Sequence, residues 1–157
     1  MPLAVHGRYL DVELSAAFKA ISKKEGKFRN FYTGVEPVCD GRFDLLLVTL
    51  DKGGVAHEHL RYHDFALGPT TFQWQSQAGT RQDDARGNRH LRPVETGVTP
   101  LLFVRDSKKD ARGVTNAFRF LGPVQPAAWR GERPITIEWQ LAQPLAAEWL
   151  RRWSKVA

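Results

Sequence analysis

Residues 72–77 read Phe-Gln-Trp-Gln-Ser-Gln, so large aromatic faces alternate with amide and hydroxyl groups. Aromatic faces hold a nucleobase by stacking, worth about 1–3 kcal/mol per base, while amides and hydroxyls match donors and acceptors on its edge. A strand with Phe72 and Trp74 in the core and its glutamines in solvent gives the same pattern. A second cluster is Tyr62-His63-Asp64-Phe65, where a carboxylate beside rings suits the exocyclic amine of a cytosine. Its plainer reading is a loop in which Asp64 caps backbone amides. Together with Tyr32, on a segment expected to reach the surface, the candidate base-binding residues are Tyr62, Asp64, Phe65, Trp74, Gln75, Ser76 and Gln77.

His57, His59 and His63 raise a metal site, since His59 and His63 would share a helix face. Glu58 precedes His59 rather than following it, so the H-E-x-x-H arrangement is missing and no metal is expected. The chain also lacks a phosphate loop, a nucleophile elbow, a paired C-x-x-C and a dinucleotide fingerprint. Neither catalysis nor a cofactor is expected. The rival readings are a small metal-dependent nuclease using those histidines and a protein-docking module.

Lysine and arginine total 23 against 17 acidic residues in 157, a formal charge of +6. The isoelectric point near 9.8 makes polyanions the leading partner class. Lys52, Arg81, Arg86, Arg89, Arg105, Lys108, Lys109 and Arg112 are the candidates for DNA-backbone phosphates, with Arg92 and Arg119 in the same stretch. A solvated basic face is the simpler alternative.

Apolar residues make up 42% and charged residues 25%, which is globular composition and excludes a disordered tail or a collagen-like repeat. One domain spanning 1–157 is expected, large enough to close a core without disulfides. The lone Cys39, the absence of a long apolar run and an N-terminus without a secretory layout predict a cytoplasmic protein that does not enter membranes.

Leu10, Leu14, Ala17, Phe18 and Ile21 recur at helical spacing, predicting an amphipathic helix over 9–22. The nearly continuous apolar run from Phe43 to Leu50 predicts a strand buried on both faces. Further strands are expected at Thr70–Gln75, His90–Val94, Pro100–Arg105, Asn116–Leu121 and Pro134–Leu141, the last with Ile135, Ile137, Trp139 and Leu141 on one face. Residues 57–65 are ambiguous, and Gln77–Asn88 reads as an exposed mobile loop. Ala146–Lys155 closes the chain as a helix with Trp149 and Trp153 one turn apart. These elements describe an α+β, mainly β domain: a curved sheet or barrel flanked by N- and C-terminal helices.

At Phe43–Lys52, Phe72–Gln77, Leu101–Asp110 and Phe120–Gly122 the chain resembles a bacterial family of uncharacterised C-terminal domains attached to DEAD/DEAH-type helicases, often behind a phospholipase-D-type nuclease. The correspondence runs in order from about Gly7 to Leu141 and includes Glu132–Pro134 and the Ile137–Leu141 strand. In modification-dependent (type IV) restriction enzymes of that architecture the domain reads 5-methylcytosine or related bases, and it is similar to SRA and PUA-like barrels that flip a base from the duplex. The resemblance therefore implies a non-catalytic reader of double-stranded DNA with modified cytosine, with helicase and nuclease domains or subunits as partners. The charged stretch Gly79–Asn88 is where this chain departs from the pattern.

Overall fold

The strand over Phe43–Asp51 (β3) is where the fold is assembled, because its apolar run can be buried on both sides. In the computed structural model, which describes residues 3–31, 33–51 and 64–154, β3 lies parallel to Thr99–Ser107 (β6) with Phe43 opposite Thr99 and Thr49 opposite Arg105. Val35–Val38 (β2) flanks β3 antiparallel on the other side. Phe118–Arg130 (β7) pairs with β6 through its first half and with Thr136–Leu141 (β8) through its second. Thr71–Gln75 (β5) follows β8, and Phe65–Gly68 (β4) follows β5. Arg8–Tyr9 (β1) pairs with the start of β7, completing an eight-stranded sheet.

The sheet is open, with β2 and β4 at its edges, so the expected mainly β, α+β class holds and the curved sheet is the form it takes. Gly122 adopts φ +95° between the two halves of β7, a conformation that a side chain would strain. Register shifts on β6–β7 and β7–β8 add to the bend. The C-terminal helix Ala147–Trp153 (α4) reaches β4 through a bridge between Ala66 and Ser154.

Alternation sorts the core into two clusters. Leu46, Val48, Leu102, Val104 and Leu121 point into the fold with Phe72, Trp74, Ile137 and Trp139. Leu45, Leu101, Phe103, Phe118 and Phe120 point the other way, against Leu14 and Phe18 of the first helix region.

That helix, Asp11–Ala17 (α1), is shorter than its periodicity predicts. Its start is held by the Leu10 amide, which donates to Glu13 Oε1 at 2.8 Å. It ends early because Lys19 turns to φ +50° and the buried Ser15 hydroxyl donates to the Arg29 carbonyl at 2.7 Å, pulling the returning chain across its end.

Two expectations fail between 77 and 96. The stretch read as a mobile loop contains an N-cap, and the strand expected at His90–Val94 is helical. Ala85–Leu91 (α2) and Pro93–Thr96 (α3) replace them. Asp84 caps α2 by accepting from the Gly87 amide at 2.7 Å and the Arg81 amide at 2.8 Å. A Cβ at Gly87 would lie 1.8 Å from the Arg81 carbonyl oxygen, so only glycine permits this entry. The strand expected at Asn116–Leu121 begins at Phe118 and runs further than expected, to Arg130. No helix among the described residues is long and apolar enough to cross a membrane.

α2 delivers His90 into the core, 1% exposed and edge-on to Trp74 at 5.1 Å. Burial holds its pKa down to about 4 from an ordinary 6.5, with the charge of Asp44 opposing the shift. Between those values the unfolded chain binds a proton that the folded chain excludes, so stability falls as pH drops through that window, by about 3 kcal/mol in full. Denaturant melts of the wild type at pH 7 and pH 4.5 will show this loss, and His90→Phe will remove its histidine component; equal pH dependence in both proteins would exclude His90 as the source.

Candidate functional site

Beyond Leu47 the outward positions of the central strands change from apolar to polar while the alternation continues. Thr49 and Asp51 of β3, Arg105 and Ser107 of β6, and Phe118 of β7 then line a cavity of about 720 Å³. The register pairs Thr49 with Arg105 and Asp51 with Ser107, so these side chains form one floor. Phe31, Thr33 and Gly34 make a wall, anchored where the Leu47 amide donates to the Gly34 carbonyl at 2.8 Å. Asp11, in the first turn of α1, and the hairpin residues Lys108, Lys109 and Asp110 complete the rim.

Arg105 is the centre of this floor. Its guanidinium carbon sits 4.1 Å over the Phe118 ring, Nε donates to Thr49 Oγ1 at 2.9 Å and Nη1 to the Asn116 carbonyl at 3.2 Å. Burial lowers its pKa below the usual guanidinium range, and the nearby charge of Asp11 opposes that shift. A guanidinium held flat on a ring is a preorganised cation with a planar face, able to meet a phosphate or a stacked base.

The hairpin above it is also built to shape. Asp110 Oδ1 accepts from the Arg112 and Val114 amides at 2.8 and 3.0 Å, and Asn116 Nδ2 donates to the Ser107 carbonyl at 3.0 Å. Lys108 and Lys109 are thus carried at the cavity mouth on an ordered turn. The site offers ring surface, carboxylates from Asp11 and Asp51, hydroxyls from Thr33 and Thr49, and cations, the set that a base with its flanking phosphates requires. Among the described residues no group of three or more His, Cys, Asp or Glu is placed to hold a metal ion.

The residues expected to form the base pocket on β5 are elsewhere engaged. Trp74 is 4% exposed and packed against Trp139 at 5.8 Å, so its faces belong to the core. The driving force is ordinary: burying an indole removes more apolar surface from water than almost any other side chain can. Gln75 donates through Nε2 to Thr136 Oγ1 at 3.2 Å, and its amide donates to Asp64 Oδ1 at 2.9 Å. Ser76, itself buried, accepts from the Ile135 amide at 2.8 Å, while Gln77 accepts from Arg86. Phe65 pairs with Gln73 at the sheet edge. None of these lines the cavity. Tyr32, Lys52, His57, His59, Tyr62 and His63 lie outside the described residues.

The basic candidates divide as well. Arg105, Lys108 and Lys109 line the cavity, and Arg112 is exposed on the same hairpin. Arg81 pairs with Asp83 at 3.1 Å, on the turn before α2. Arg89 is committed to Asp44, which is 1% exposed, through contacts of 2.6 and 3.2 Å, and it also donates to the Gly41 carbonyl at 2.9 Å. Asp44 and Asp51 lie near opposite ends of β3, about 20 Å apart, so Arg89 is a structural cation rather than a companion of Arg105.

Phe31, Thr33, Asp11, Thr49, Asp51 and Phe118 were not among the expected site residues. The one sequence signal was positional: polar residues at the end of a strand whose preceding residues are buried.

Residues 18–152 match the family model described as a domain of unknown function, DUF3427. The chain belongs to this family. No curated protein matches it. The match takes in β2 to β8, all of α4 but Trp153, and most of the cavity lining, including Phe31, Asp51, Arg105 and Phe118, while Asp11 lies ahead of it.

Removing the Arg89 side chain strands a buried carboxylate. Arg89→Ala is therefore expected to lower unfolding stability by about 3–5 kcal/mol, read by denaturant titration, whereas Lys108→Ala will change stability by less than about 0.5 kcal/mol. A stable Arg89→Ala variant would refute the assignment of this pair to the fold.

Proposed function

We propose that this DUF3427 domain is a non-catalytic reader of double-stranded DNA that recognises a modified cytosine, 5-methylcytosine or a relative, by accepting the flipped base into the cavity at the ends of β3, β6 and β7. On this reading the domain is the target-recognition module of a modification-dependent restriction system whose helicase and nuclease chemistry lies in other domains or subunits.

One observation carries the reading: a cavity of about 720 Å³ in which the Phe31 ring, the Arg105–Phe118 stack and the carboxylates of Asp11 and Asp51 share one lining with Lys108 and Lys109 at its mouth. Its volume falls within the roughly 300–1,000 Å³ common for small-ligand sites. An aromatic ring and a guanidinium plane stack a base, a carboxylate accepts from the cytosine amine, and the two lysines meet phosphates.

The energetics explain why the base should leave the duplex. A single methyl group contributes about 0.8 kcal/mol of burial, and one methyl or methylene discriminates by about 1–3 kcal/mol at best. A flipped base exposes its whole Watson–Crick edge, and stacking offsets the few kcal/mol spent on unpairing.

The test compares identical duplexes carrying cytosine, 5-methylcytosine or 5-hydroxymethylcytosine at fixed salt. Tighter binding of a modified duplex is expected, and Phe31→Ala should weaken it by about 1–3 kcal/mol without a matching loss of stability. A base-analogue fluorophore at the target should brighten on binding. Equal affinity for all three duplexes, or an unchanged Phe31→Ala, would overturn the proposal.

A further inference from the structure

On the opposite face of β6 and β7, Asp106 and Arg119 point away from the cavity described above. They line a separate polar recess of about 210 Å³ together with Arg8, Trp149 and Arg152. This volume is below the range for drug-sized ligands, and a tetrahedral oxyanion is the class it suits.

The guanidiniums converge by construction. Arg8 and Arg119 are direct register partners across β1 and β7, and α4 brings Arg152 over the same strands. Arg119 lies 4.1 Å above the Trp149 ring and is oriented by donating Nη1 to the His6 carbonyl at 2.6 Å. Arg152 approaches the same ring at 5.7 Å and is neutralised by Asp106, at 2.7 Å. Asp106 is further occupied by the Trp153 indole, which donates to Oδ1 at 3.0 Å.

With Asp106 engaged by Arg152 and Trp153, Arg8 and Arg119 have no carboxylate partner within salt-bridge distance among the described residues. Burial lowers the Arg119 pKa, and the like charges of Arg8 and Arg152 lower it further, against the opposing fields of Glu148 and Asp106. Like charges held together beside a tryptophan are unfavourable in the free protein and favourable once an anion sits between them.

We infer that the recess formed by Arg8, Arg119, Arg152 and Trp149 is a phosphate-binding site, distinct from the base cavity. Its ligand is a phosphate group, supplied by a nucleic-acid backbone or by a free phosphate compound. The donors are those that Arg8 and Arg119 do not use within the fold, and Trp149 excludes water from one side.

The experiment uses the full chain and its Arg8→Gln variant, chosen because Arg8 is exposed and makes no side-chain bond among the described residues; circular dichroism checks the fold. Inorganic phosphate is titrated against chloride at matched ionic strength by calorimetry, and an unmodified duplex is titrated across a salt series. Saturable phosphate binding weakened about tenfold in Arg8→Gln is expected. If the backbone is the source, the salt slope of duplex binding will also fall by about 1; an unchanged slope with lost phosphate binding assigns the site to free phosphate compounds. Absence of saturable phosphate binding with an unchanged slope, or identical behaviour of the variant, overturns the inference. Modified bases are absent from both arms, so the result stands apart from the reading of the base cavity.

Discussion

The structure depends on alternation along three adjacent strands that are covered on both faces, reset once in β7 by the register shift beside Gly122. In β3, β6 and β7 one set of side chains enters the layer containing Trp74 and Trp139, and the other packs beneath α1. Full burial of each Leu, Val or Phe is worth about 1.5–3 kcal/mol, so a one-residue slip would expose both sets at once. The register is thus held by two cores rather than one. At the strand ends the apolar residues stop while the alternation persists, and it then places Thr49, Asp51, Arg105 and Ser107 on one face and Asp106 and Arg119 on the other.

The first of these faces opens at the N-terminal end of α1. The helix covers Phe103, Phe118 and Phe120 through Leu14 and Phe18 and then ends at Ala17. Its first turn contributes Asp11 to the rim instead of an apolar residue. The periodicity of Leu10, Leu14, Ala17, Phe18 and Ile21 suggests a longer helix, but Ile21 is 52% exposed and lies beyond the turn at Lys19. Local hydrogen bonding from Ser15 overrides a helical pattern that has no partner surface to bury against.

Long apolar signals were legible before the fold was known. Phe43–Leu50, Pro100–Arg105 and the Ile135–Leu141 alternation each correspond to a strand, and Trp149 and Trp153 meet at 5.0 Å on one helix. Short elements were not: β1, β2 and β4 have two to four residues each, too few for periodicity to emerge. His90–Val94 looked extended because the decisive information was the Asp84 cap and the space that only Gly87 leaves, both local contacts rather than pattern. The lining of the cavity was hidden for a related reason. Trp74 and Asp51 carry no sequence mark that separates an indole enclosed by β8 and α2 from a carboxylate at an open strand end; burial of one and exposure of the other follow from which strands become neighbours.

Shared use of residues then sets what can vary at the cavity. Phe118 is 3% exposed, belongs to the core under α1 and also supports Arg105. Its replacement by a small residue would open a void as well as release the guanidinium, so floor chemistry and stability cannot be separated there. Phe31, Thr33 and Lys108–Ala111 come from connecting segments whose side chains enter neither core so deeply. On the proposed reading, divergence in the kind of modified base recognised should therefore concentrate in the wall and hairpin, while Arg105 on Phe118 remains as the common platform, because only the former can change without disturbing the two-sided register on which the fold rests.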